Sequence, residues 1–200
     1  MKRVLKASFV SKNAHKAREL AALLPDWEIE PTVADELPEE VGRSFYENAR
    51  AKAEFGRTVE PPDRWVLGED SGLEVDGLGG RPGLYSARYA GPGATDEENV
   101  AKLLEELAGA KGDARHARYI SELVCLSPTG EELRGTGVLK GSIASAPRGS
   151  EGFGYDPVFV PAGEELTVAE LGNQWKAQWS HRARAARKLR QLVGSAAPGL

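Results

Sequence analysis

Trp65-Val66-Leu67-Gly68-Glu69-Asp70-Ser71-Gly72 joins an apolar run to two adjacent acids, a hydroxyl and two flanking glycines. Trp65 to Leu67 reads as a buried strand. The segment after it has two readings. Asp, Ser and Gly are common turn residues, so Gly68 to Gly72 alone reads as a polar turn that closes the strand. In open α/β proteins, ligands also bind outside the carboxyl ends of strands, and a carboxylate there can hold a metal or take a proton from water. Taken by itself the segment favours the turn; the rest of the chain decides.

The 200 residues fit one domain, or one domain with two lobes, and suffice to bury roughly 70% of the unfolded surface. Net charge is −4, from 26 basic and 30 acidic residues. That balance argues against a general nucleic-acid binder but leaves room for a small anion on a local Lys/Arg cluster. The single Cys125 forms neither an intrachain disulfide nor a cysteine-based zinc site, and within Leu123-Val124-Cys125-Leu126 it reads as a small buried hydrophobe. The basic start at Met1-Lys2-Arg3 lacks the apolar core of a signal peptide. No run of about 18 apolar residues exists, so no transmembrane helix is expected, and a cytoplasmic protein is the default.

Upstream of the opening stretch, Val4 to Val10 reads as a strand and Ala17, Leu20, Ala21 and Leu24 mark a helix closed by Pro25. Between them, Ser11-Lys12-Asn13-Ala14-His15-Lys16 sets a capping Asn13, backbone N–H groups and two ammonium groups at one helix start. Those are the requirements of a phosphate site, without the glycines of a Walker loop; a plain capped helix with solvated lysines is the other reading. Trp27 to Val33 is a second strand, and Asp35 to Gly42 an acidic loop. In the next helix, about Ser44 to Arg57, Phe45, Asn48, Ala49 and Lys52 share one face. Asn48 and Lys52 either snorkel at the edge of that face or point into a site.

Downstream, the glycine-rich segment from Gly77 to Gly93 carries Arg81, Tyr85, Arg88 and Tyr89 and reads as a structured functional loop. Thr95 to Glu98 is a capping box before a helix to about Leu107. Ala117 to Leu126 and Leu133 to about Val138 are paired strands, assigned to scaffold. Gly152-Phe153-Gly154-Tyr155-Asp156 precedes a short strand, Val158 to Val160. Its rings either stack on a planar base or fill core. Leu166 to Leu171 reads as a short helix, and Lys176 to Arg182 as the lead into a last helix capped by Ser180. His181 and Arg182 in its first turn oppose the helix dipole, which suggests placement for a ligand. Gly194 to Leu200 is expected to be a flexible tail.

These segments together resemble the Ham1/inosine triphosphatase family. Ser11 to Leu20 resembles its Thr-Gly-Asn-x-x-Lys opening; Glu39 to Ala49 its Glu-Thr-Gly-x-x-Phe-x-Glu-Asn-Ala segment. Glu69 to Leu73 with Leu78 to Arg88 is similar to its signature, and Gly152 to Pro157, Lys176 and Ser180-His181-Arg182 complete the set in order.

The resemblance implies an elongated α/β fold: two lobes around a central twisted mixed sheet with flanking helices, a nucleotide cleft between the lobes, and one domain over 1–193. It implies a homodimer, Mg2+, and hydrolysis of non-standard purine nucleoside triphosphates (dITP/ITP, XTP/dXTP) to the monophosphate and pyrophosphate. By the same resemblance Asp70 is the general base or a metal-bound carboxylate, and Glu40 a metal ligand. Ser11, Lys12, Asn13 and Lys16 hold the triphosphate and Ser71 contacts substrate. Phe153 stacks on the base beside Gly154, Tyr155 and Asp156. Lys176, His181 and Arg182 also bind the nucleotide, Arg182 near the purine 6-oxo group.

Lys12 where the family has Gly, Val41 where it has Thr, Glu69 where Asp is frequent, and Trp175 and Trp179 beside Lys176 depart from the pattern. The two Trp residues are expected to pack rather than reshape the base pocket. Three other readings stay open at this point: a pyrophosphatase of the same fold acting on another modified nucleotide, a non-catalytic nucleotide- or RNA-binding module, and a phosphatase that liberates orthophosphate.

Overall fold

The computed structural model describes residues 4–34 and 36–196. The basic start at Met1 to Arg3, Asp35 of the acidic loop and residues 197–200 of the expected tail lie outside them.

The opening stretch is not a turn. Strand β3 runs from Trp65 to Val75, carrying Glu69 and Asp70 in its middle. The strand does not stop at Gly68, because tertiary contacts override the local turn preference of Gly, Asp and Ser. Gly68 itself explains part of this: a Cβ there would collide with the backbone carbonyl of Ala49. The missing side chain lets helix α2 (Phe45–Val59) lie directly on the strand.

Among the described residues the sheet has six strands, with β1 Leu5–Val10, β2 Trp27–Pro31, β4 His116–Leu126, β5 Glu132–Ile143 and β6 Phe159–Pro161 beside β3. Their order is β2-β1-β3-β4-β5-β6. β1 is parallel to both β2 and β3, with Val10 opposite Gly68, while β5 and β6 are antiparallel. The mixed α/β sheet with flanking helices is the fold class the sequence led us to expect.

The chain divides into two compact units. The first holds, of the described residues, those up to Asp70, Ser121–Gly137 and those from His181 on. Its core is Leu5, Phe9, Leu20, Leu24, Leu67, Leu123 and Leu189. Helix α1 (Ala14–Leu23) starts at Asn13, whose side chain accepts the Lys16 N–H at 3.0 Å, as its capping sequence predicts. Helix α5 (His181–Ala196) lies on β5, where a Cβ at Gly137 would collide with the His181 carbonyl. α5 extends to Ala196, so the tail expected from Gly194 begins inside a helix.

The second unit holds Ser71–Ile120 and Val138–Ser180, around Leu73, Val75, Leu103, Val158, Phe159 and Val168. Its glycine-rich segment is ordered by two short 3₁₀ turns, Asp76–Leu78 and Gly83–Arg88. Ser86 ties it down: its hydroxyl donates to the Gly83 carbonyl at 2.6 Å and accepts the Leu73 N–H at 2.8 Å. The predicted capping box at Thr95 opens helix α3 (Asp96–Glu106).

Helix α4 spans Val168–Trp179 with a break at Gly172. The expected short helix thus runs on to Trp179, and Lys176, expected in the lead into the last helix, belongs to α4 instead. Trp175 packs on the core, its indole N–H donating to Glu164 at 3.2 Å, while Trp179 is 50% exposed. No helix among the described residues is long and apolar enough to cross a membrane.

Candidate functional site

Successive residues of a strand point to opposite faces. In the first unit this separates the two acids of β3. Glu69 meets α1 and α5; Asp70 meets α2.

Asp70 is 5% exposed. Its Oδ2 accepts the Asn48 amide at 2.9 Å, and its Oδ1 lies 3.5 Å from the Lys52 ammonium. Lys52 also donates to Glu40 at 2.5 Å and to the Glu69 carbonyl at 3.1 Å. Asn48 and Lys52 thus point into a site rather than snorkelling, and Glu40 joins them there. Burial raises the Asp70 carboxyl above its ordinary value, against the pull of Lys52 and Lys16. Burial also works against the Lys52 charge, but Asp70 and Glu40 outweigh it and raise the ammonium.

Glu69 is 1% exposed. Its Oε2 pairs with Lys16 at 2.8 Å. Its Oε1 accepts Ser121 at 3.0 Å and the Arg182 Nη2 and Nε at 3.1 and 3.3 Å. Arg182, equally buried, also pairs with Glu19 of α1. Burial disfavours the Glu69 anion, yet Lys16 and Arg182 overcome it and hold the carboxyl well below the usual carboxylate range.

The Ser11–Asn13 loop precedes α1. Ser11 Oγ accepts the Asn13 N–H at 3.1 Å, and Lys12 is exposed. Lys16 stands in the first turn of α1, where the helix dipole favours anions. Positive charge from α1, α2 and α5 therefore gathers around two acids of one strand, an arrangement suited to a polyanion and a hard cation.

A second group forms in the second unit. Phe153 is half-buried, with the Lys176 ammonium 4.0 Å from its ring centre. Asp156 accepts Lys176 at 2.6 Å, the Phe153 N–H at 3.0 Å and the Tyr119 hydroxyl at 3.3 Å. The Gly154 N–H donates to Asp96 at 2.6 Å. Tyr155 fills core, its hydroxyl donating to the Ser86 carbonyl at 2.8 Å. Of the two rings in this loop, only Phe153 keeps an accessible surface.

The structure thus brings Lys16, Glu40, Asp70 and Arg182 into one unit, together with His181 at the start of α5. Phe153, Gly154, Tyr155, Asp156 and Lys176 lie in the other, as does Ser71, the residue after Asp70 in β3. Sequence reasoning left Asn48 and Lys52 without a role, although polar residues on an apolar helix face were the signal. It missed Glu19, one turn beyond Lys16 on α1. It assigned β4 to scaffold and so missed Ser121, for which the alternating strand pattern holds no signal.

The Ham1 family model matches residues 7–192. The chain is 47% identical over 171 residues to the dITP/XTP pyrophosphatase of Bdellovibrio bacteriovorus, covering 84% of this chain and 85% of that one. It is 44% identical over 155 residues to the dITP/XTP pyrophosphatase of Bacillus subtilis, covering 78% and 77%. Among solved structures it resembles the Staphylococcus aureus Ham1 protein, with a TM-score of 0.85, 34% identity, and 96% and 99% of the two chains covered.

Proposed function

Because the chain belongs to the Ham1 family, we propose that it hydrolyses dITP/ITP and XTP/dXTP to the monophosphate and pyrophosphate. The observation that carries this reading is the buried Glu69–Asp70 pair ringed by Lys16, Lys52 and Arg182. A binding module for a polyanion would have no use for acids at its centre.

Lys16 takes the triphosphate by exchanging Glu69 for phosphate oxygens. Ser11, Lys12 and Asn13 present the first turn of α1 to the same group. Asp70 orients the attacking water and accepts its proton. The water oxygen bonds to the α-phosphorus as the bond to the bridging oxygen breaks and pyrophosphate leaves. Lys52, 3.5 Å away, favours the ionised Asp70 that this step needs.

Glu40 and Asp70 would hold Mg2+. Both approach one cation, the Lys52 ammonium, and two carboxylates suit a hard ion that takes its other ligands from phosphate and water. Among the described residues no group of three His, Cys, Asp or Glu side chains forms a dedicated metal cage. Mg2+ bound there supplies charge neutralisation along the polyphosphate.

Phe153 stacks on the base, and Lys176 and Asp156 meet its polar edge within the turn made by Gly154 and Tyr155. Ser71 and His181 contact the substrate. Arg182 exchanges one carboxylate partner for the 6-oxo group. An adenine amino group would meet that guanidinium donor to donor, leaving buried groups unpaired. The protein works as a cytoplasmic homodimer with one two-lobed domain over 1–193, and its net charge of −4 disfavours stable nucleic-acid binding.

Product analysis with ITP, XTP, dGTP and ATP, with Mg2+ and with chelator, tests this. Pyrophosphate from ITP and XTP, little from ATP and none with chelator is expected. Release of orthophosphate instead would overturn attack at the α-phosphorus.

A further inference from the structure

Glu69 is a hub with two separate oxygens. Oε2 pairs with Lys16 at 2.8 Å, while Oε1 collects Ser121 and two Arg182 nitrogens. A carboxylate can rotate about its terminal torsion. Rotation would bring both oxygens toward the Lys16 ammonium and strengthen the pair that a phosphate must displace. The donors on Oε1 oppose that rotation. Arg182 also pairs with Glu19, so it is shared between two acids. Ser121 is fully buried on β4, and its hydroxyl donates to Glu69. It is a neutral donor, so it fixes direction without adding charge.

We propose that Ser121 is a positioning residue for polyphosphate binding: its hydroxyl fixes the Glu69 carboxylate so that Lys16 is held by one oxygen and can be released to phosphate. The inference rests on the proposed role of Lys16 in taking the triphosphate. Without this hydrogen bond, Glu69 turns further onto Lys16, and phosphate competes less well for the ammonium.

The test compares wild type, Ser121→Ala, Ser121→Cys and Ser121→Thr as full-length protein. Inorganic tripolyphosphate is titrated in metal-free buffer by calorimetry, and KM and kcat are measured on ITP with Mg2+. Ala and Cys are expected to weaken tripolyphosphate about fivefold and raise KM by a similar factor, with kcat within about twofold. Thr keeps the hydroxyl and is expected to stay within about twofold of wild type. Cys fills the volume of Ser but donates weakly. A Cys variant that matches wild type therefore assigns the effect to packing and overturns the proposal. So does an Ala variant that leaves both constants unchanged, or a folded Thr variant that behaves like Ala. If the extra methyl of Thr prevents folding, the Ala and Cys pair decides. Wild type that binds tripolyphosphate but releases no pyrophosphate overturns the function, while calorimetry still judges Ser121. Wild type with no tripolyphosphate affinity overturns the role of Lys16 and this proposal with it.

Discussion

Both units hold a lysine against a buried carboxylate, yet the two groups differ in kind. In the first unit Lys16, Glu69, Arg182 and Glu19 form a chain of alternating charge, and Lys52 joins Glu40 to Asp70 beside it. In the second unit a single pair, Lys176 and Asp156, stands against the ring of Phe153. A cluster of several charges suits a ligand that is itself highly charged. One ion pair beside an aromatic face suits a flat ligand with a polar edge. The difference teaches that polyanion chemistry and ring recognition use separate physics, and variants should separate them.

Asp70→Asn should have the largest effect. The amide can still accept from Asn48 but cannot take a proton from water, so kcat for pyrophosphate release should fall about 10²–10⁴-fold. Tripolyphosphate affinity, read by calorimetry, should be retained, because a negative charge has been removed. Loss of both together would mean that Asp70 belongs to binding and would break the comparison. Glu69→Gln comes next. It leaves the buried Arg182 and the partly exposed Lys16 with one counter-charge fewer, at a cost of about 3 kcal/mol in urea unfolding. Phe153→Ala should raise KM for ITP by roughly tenfold, the scale of one base–aromatic stack. Tripolyphosphate has no base, so its affinity should not change. A parallel loss there would show that the two groups do not divide the work.

Periodicity made much of the frame legible: β1, α1, the capped start of α3 and the pairing of β4 with β5 follow from local pattern and caps. The opening stretch was misread in shape because turn-forming residues were placed inside a strand. Gly68 serves the close approach of α2 there, and Ser71 and Gly72 continue the ladder. The acids were legible as chemistry only beside the other segments of the chain, and their partition onto opposite faces needs the strand to continue. Lys52 was visible as an oddity on an apolar face. Ser121 was not visible at all: a serine in a strand looks the same whether it meets solvent, backbone or a buried carboxylate. Contacts that join residues 52 or 113 positions apart, as Ser121 and Arg182 do to Glu69, leave no local trace.

The neighbours Glu69 and Asp70 should also separate by pH, and this is the smallest effect expected. Glu69 is held below its ordinary range, so its ionisation contributes stability that is fully present above the unfolded value and lost as pH falls through the folded one. The deficit of Glu69→Gln relative to wild type should be constant from pH 8 to pH 6 and narrow below about pH 4.5. Asp70 has the opposite sign. Burial raises its carboxyl, so the folded state binds its proton more readily than the unfolded chain, and wild type regains stability as pH falls through the folded value. Asp70→Asn should therefore be slightly more stable than wild type at pH 7 in metal-free buffer, and the advantage should shrink on acidification. Urea midpoints across pH 7 to 4 check both. Equal slopes for the two variants would mean that the faces of β3 do not give its acids separate environments, and the division between a structural and a reactive carboxylate would fail with them.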